Sequence, residues 1–131
     1  MADRSFLPPL GHLEVGVVEL FCKITVGASG AVSASSGKGI ASVARAAAGQ
    51  YTITLSDRYK SLLWAGVTTL DDSDSSPATV GTGARLHAEA VDSATPSVTI
   101  QMHAQDDGAD ADPAEGAILY VSLKLKNSTV D

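Results

Sequence analysis

The sequence predicts an all-β fold, a β-sandwich or jelly-roll-like barrel of seven or eight strands with one short helical turn and an extended N-terminal arm. Three observations carry this expectation. Apolar residues recur at every second position in several segments, as they do in strands with one buried face. The segments are short and separated by turns rich in Gly, Ser and Asp. Helical spacing of apolar residues never lasts beyond one or two turns. At 131 residues the chain has the length of one domain, a size that buries roughly two-thirds of the unfolded surface. Its 44% hydrophobic content is mostly Ala, Val and Leu, and only six residues are aromatic, so the core layers should be thin and aliphatic.

Residues 1–12 read as an extended arm, because Pro8 and Pro9 forbid regular strand or helix pairing. Its apolar side chains, Phe6, Leu7 and Leu10, call for burial on the domain or on a neighbouring subunit. Residues 13–131 form the sandwich domain. Leu13 to Val26 reads as one long strand or two abutting strands with a bulge at Gly16; Leu20, Cys22, Ile24 and Val26 share one face. A small-residue loop is expected from Gly27 to Gly39. Ile40 to Ala46 and Tyr51 to Leu55 make a hairpin around Ala47-Ala48-Gly49-Gln50. Ser56 is placed to cap a short helical turn through Tyr59, Leu62 and Leu63, ahead of a strand from Trp64 to Leu70. Residues 84–91 alternate Leu86 and Ala88 with Arg85, His87 and Glu89. Val98, Ile100 and Met102 mark the next strand, and Leu119, Val121, Leu123 and Leu125 the last.

The net charge of −6 argues against a general nucleic-acid surface, which needs clustered Lys and Arg. Acidic residues cluster instead, at Asp71, Asp72 and Asp74 and again at Asp106, Asp107, Asp110, Asp112 and Glu115, as in solvated loops. Cys22 is the only cysteine, so no intrachain disulfide forms, and its apolar surroundings predict a buried, inert thiol. No apolar run is long enough for a membrane span, and the N-terminus lacks the pattern of a signal peptide, so synthesis in the cytoplasm is expected.

Motifs for chemistry fail in turn. Gly37-Lys38 lacks the glycine and hydroxyl residue of a phosphate loop, since Val32 and Gly39 occupy those places. Ser35-Ser36-Gly37-Lys38 fits Ser-x-x-Lys in form but has neither companion motifs nor a helix. His12, His87 and His103 share no local metal-ligand spacing, although His87 and His103 lie on the polar faces of their strands, where strand pairing would bring them close. The acidic stretch Asp106 to Glu115 offers oxygen ligands for calcium but breaks the EF-hand pattern, and reads first as a solvated turn. No catalytic residue, cofactor or metal ligand is assigned.

One resemblance covers roughly residues 40–128. Ile40-Ala-Ser-Val-Ala-Arg45, Gly49-Gln-Tyr51-Thr-Ile-Thr-Leu55, Asp57-Arg-Tyr59-Lys-Ser-Leu62-Leu63 and Gly116-Ala-Ile-Leu-Tyr-Val-Ser-Leu-Lys-Leu-Lys-Asn127-Ser128 together resemble small β-sandwich virion proteins of tailed bacteriophages, of the capsid decoration or cement type. The resemblance implies a non-enzymatic structural protein on the capsid surface, plausibly homotrimeric, that stabilises the head by bridging capsomers. Its partners would be the major capsid protein and further copies of itself, with no nucleic acid or membrane involved. Phe6, Leu7, Pro8, Pro9 and Leu10 of the arm are the expected capsid or subunit contacts. The alternatives are a tail, baseplate or fibre component, or a carbohydrate- or calcium-binding sandwich module.

Overall fold

A computed structural model describes residues 16–70, 82–104 and 108–127. Its eight strands are β1 (Val17–Val26), β2 (Val32–Ser36), β3 (Ile40–Ala47), β4 (Gln50–Leu55), β5 (Ser61–Leu70), β6 (Thr82–Ala90), β7 (Ser97–Ala104) and β8 (Ile118–Lys126). They form two antiparallel four-stranded sheets, β2-β1-β8-β5 and β3-β4-β7-β6, which we call sheets A and B. Among the described strands no ladder joins the two sheets, so the expected all-β architecture is realised as a sandwich rather than as a closed barrel. The expected arm, residues 1–12, lies outside the described residues.

The two central strands of each sheet build the core, because they alone have both neighbours in place and a strict apolar alternation. Leu20, Cys22, Ile24 and Val26 of β1 and Leu119, Val121, Leu123 and Leu125 of β8 face Tyr51, Ile53 and Leu55 of β4 and Val98, Ile100 and Met102 of β7. The β1–β8 register places Leu20 opposite Leu123 and Cys22 opposite Val121, so side chains of like face stack in layers. The outer strands contribute smaller or half-buried groups such as Val32, Val43, Ala65, Val67 and Ala84.

Three expectations are corrected. The loop expected over residues 27–39 contains a 3-10 turn at Ala28–Gly30 and the edge strand β2, whose Ser33, Ala34, Ser35 and Ser36 are exposed. An edge strand with no face to bury needs no apolar alternation; its strand character comes from pairing with β1. No helical turn follows Ser56. Residues 56–60 cross from sheet B to sheet A, Tyr59 fills the gap between the sheets, and a bulge in β5 leaves Leu63 as the extra residue between Leu62 and Trp64. The helix-like spacing of Tyr59, Leu62 and Leu63 is therefore the sum of a crossover and a bulge. In β6 a bulge at His87 breaks the expected alternation, and Leu86, opposite Ile100 on this edge strand, is left exposed.

Leu123 is fully buried at the centre of sheet A. Truncation there should cost about 2–5 kcal/mol, the range for a leucine in a core that cannot collapse around the cavity. Urea unfolding of Leu123→Ala checks this; a loss below about 1 kcal/mol would contradict the assigned core.

Candidate functional site

Two regions hold the side chains that a reading for function must explain: the loop end around Asp112 and the outer face of sheet A.

At the loop end, one carboxylate gathers three segments. Arg45, near the end of β3, donates from Nε to Asp112 Oδ1 (2.9 Å) and from Nη2 to Asp112 Oδ2 (2.8 Å). The Gly49 amide in the β3–β4 turn donates to the same Oδ1 at 2.7 Å. Gly49 adopts φ +67, and a Cβ there would press on the Ala111 carbonyl oxygen at 2.5 Å, so the position calls for glycine. Tyr51 is fully buried and donates its hydroxyl to the Gly30 carbonyl at 2.6 Å, which ties the 3-10 turn into the same cluster. Beside them Gln101, the buried polar side chain of β7, donates to the carbonyls of Ala48 and Met102 (2.9 Å each). Hydrogen bonding from Arg45, followed by that from the Gly49 amide, holds the Asp112 carboxyl below its ordinary pKa, against the opposing effect of burial.

This arrangement is a structural lock and leaves little for a ligand. Of the acidic stretch considered for calcium, Asp112 is engaged as described, Asp110 lies 3.7 Å from Arg85, Glu115 is exposed, and Asp106 and Asp107 lie outside the described residues. Among the described residues no group of three or more His, Cys, Asp and Glu side chains is placed to hold a metal ion. His87 is exposed at the β6 bulge, whereas His103 pairs with Gly83 four residues away along β6, so the two rings are not neighbours; His12 lies outside the described residues. Ser35 and Ser36 end β2, and Lys38 sits in the following turn. Burial pushes the Cys22 thiol up to about 11, in line with the inert thiol expected from the sequence.

The outer face of sheet A differs in character. Successive rows across the sheet read Lys23–Tyr120–Thr68, Phe21–Ser122–Gly66 and Glu19–Lys124–Trp64. Phe21 (62% exposed), Trp64 (52%) and Tyr120 (44%) thus surround the small residues Gly66 and Ser122, and a groove of about 460 Å³ opens between them. Trp64 lies over Gly66, where any Cβ would collide with its ring. Lys124 Nζ sits 5.6 Å from the Trp64 ring centroid and Lys23 Nζ 6.0 Å from that of Tyr120, distances at which cation–π attraction orients both ammonium groups.

Sheet B presents a polar outer face by contrast. The hydroxyls of Thr52 and Thr99 lie 3.3 Å apart, and Gln50 donates to Gln101 at 3.3 Å. Charge is divided as well. Lys23, Lys124 and Lys126 stand on sheet A, where Lys124 lies 3.9 Å from Glu19, with Lys38 and Lys60 in the turns beside it; Arg45, Arg58 and Arg85 each face an aspartate elsewhere. A chain of net charge −6 therefore carries one lysine-bearing, aromatic face. Sequence reading missed this face because alternation marked Phe21, Lys23 and Tyr120 only as the outward set, and the strand order that joins them to Trp64 is not written locally.

Comparison with protein-family models, curated proteins and solved structures finds no match for this chain.

The pH dependence of stability follows from the shifted groups. Asp112, with its lowered pKa, contributes stability above its ordinary value of 3.8 that is lost as pH falls through the depressed one. Cys22 and Tyr51, raised by burial to about 11 and about 12, contribute below their ordinary values of 9.0 and 10.0 and lose that contribution as pH rises through the raised ones. Melting temperature should be flat near neutrality and fall on both sides. Asp112→Asn should be less stable than wild type at pH 7, and the gap should narrow as pH drops through the carboxylate range. A gap independent of pH would contradict the lock. At pH 7, Tyr51→Phe should cost about 1–3 kcal/mol by orphaning the buried Gly30 carbonyl.

Proposed function

We propose that the chain is a non-catalytic structural protein of a bacteriophage virion, a capsid decoration protein that stabilises the head by bridging capsomers. The observation that carries the reading is the outer face of sheet A, where Phe21, Trp64, Tyr120 and Leu70 are 44–62% exposed on a sandwich whose other outer face is polar. A contiguous exposed apolar patch on a small domain marks a surface made to be covered. Its aromatic residues are of the types enriched at the centres of protein interfaces, and its lysines suit an acidic partner surface. The resemblance of residues 40–128 to small virion proteins supplies the kind of partner, a protein shell that repeats the same weak contact many times.

Arg45, Gly49 and Tyr51 meet at Asp112 and Gly30. They hold the loop end together, which leaves sheet A as the face for attachment.

Cryo-electron microscopy of the parent virion tests the reading. Density for this sandwich on the outer capsid surface, with sheet A turned toward the shell or toward a neighbouring copy, is the expected result. Copies confined to the tail or baseplate would replace the decoration role with a tail role, and absence from the virion would overturn both.

A further inference from the structure

We infer that the groove on sheet A receives the segment Phe6-Leu7-Pro8-Pro9-Leu10 of a second copy of this chain. The inference rests on the assembly reading above and specifies how copies engage one another.

Groove and segment match in chemistry and in length. The groove runs over Ser122 and over the Trp64 ring laid on Gly66, with the rings of Phe21 and Tyr120 beside it, an aromatic surface of the kind that accepts proline-rich segments in the polyproline II conformation. The sequence holds one pair of consecutive prolines, flanked on both sides by large apolar residues. In that conformation five residues span about 15 Å. The groove crosses the sheet from β2 to β5, three strand spacings or about 14 Å. Because consecutive prolines restrict the backbone beforehand, little conformational entropy is lost on docking.

Reach decides between the chain's own segment and a neighbour's. Seven residue steps separate Leu10 from Val17 at the start of β1, at most about 25 Å of extended chain. From Val17 the groove begins four to six residues up the strand, at Phe21 and Lys23, or about 14–20 Å away. A segment of the same chain spends most of that length on reaching Phe21 and Lys23 and must then turn at right angles to lie across the strands, with about two to three residues to spare. A neighbouring copy meets the groove from the side without that limit. The contact joins two different surfaces, so it is head-to-tail, and repeated around an axis it closes into a ring such as a trimer.

The test uses the full chain, sedimentation velocity and the fluorescence of Trp64, its only tryptophan. Wild type should self-associate and shift its emission to the blue as concentration rises. An arm variant (Leu7→Asp with Leu10→Asp) and a groove variant (Phe21→Asp) should each weaken self-association tenfold or more. The changed residues lie in the arm or on the surface, and circular dichroism verifies that each variant folds. Mixed in equal amounts at high concentration, the two should form a one-to-one pair and nothing larger, since between them one groove and one arm are intact. A monomeric wild type, blue emission independent of concentration, variants that associate like wild type, or a mixture that stays monomeric would each overturn the inference. Virion binding is read separately on the arm variant, which leaves sheet A unchanged: an arm variant that binds capsids but no longer self-associates supports the arm contact and leaves the decoration role standing, whereas one that self-associates like wild type refutes the arm contact whether or not it binds capsids.

Discussion

The Asp112 carboxylate is the point at which chemically distinct segments of this sandwich are made to meet. Hydrophobic burial brings the sheets together but is indifferent to small slips and rotations of one layer on the other. The carboxylate accepts two hydrogen bonds from Arg45 and one from the Gly49 amide, which ties the β7–β8 connection to β3 and to the β3–β4 turn. With Tyr51 holding the Gly30 carbonyl, the β1–β2 connection, the β3–β4 turn and the β7–β8 connection are fixed at one end of the molecule. Directional bonds of this kind complete what non-directional burial leaves loose.

The loop end is often where a sandwich binds ligands, because loops there tolerate variation. Here Arg45, the Gly49 amide and Asp112 are bonded to one another, and Phe21, Trp64, Leu70 and Tyr120, four of the large apolar side chains exposed among the described residues, stand on the outer face of sheet A. Phe21, Trp64 and Tyr120 are large apolar groups in water, and the cation–π contacts of Lys23 and Lys124 cover only part of them. The division between a polar sheet B and an aromatic, lysine-bearing sheet A gives the molecule a front and a back.

Much of the fold was legible in the sequence where a strand is central. β1, β4, β7 and β8 are buried on one face, so alternation recorded them plainly. The peripheral strands were less legible for the same physical reason: Val32–Ser36 buries little, so its composition reads as loop, and the bulges at Leu63 and His87 shift the period by one residue. The candidate site was legible only in pieces. Phe21 and Tyr120 stood on outward faces, but Trp64 joins them through the β8–β5 pairing, a contact between residues about sixty apart in the chain that no local pattern announces. Likewise, Asp112 read as one acid among several in a solvated turn, because its partner Arg45 lies 67 residues away.

Arg45 and Asp112 act as one unit, and a double-mutant cycle measures that directly. Unfolding free energies are compared for wild type, Arg45→Ala, Asp112→Ala and the double variant at neutral pH. Asp112→Ala should be the more damaging single change, since it also strips the Gly49 amide of its acceptor, and adding Arg45→Ala to it should cost little more. Costs that simply add would mean that the two residues do not depend on one another, and would contradict the lock at the loop end.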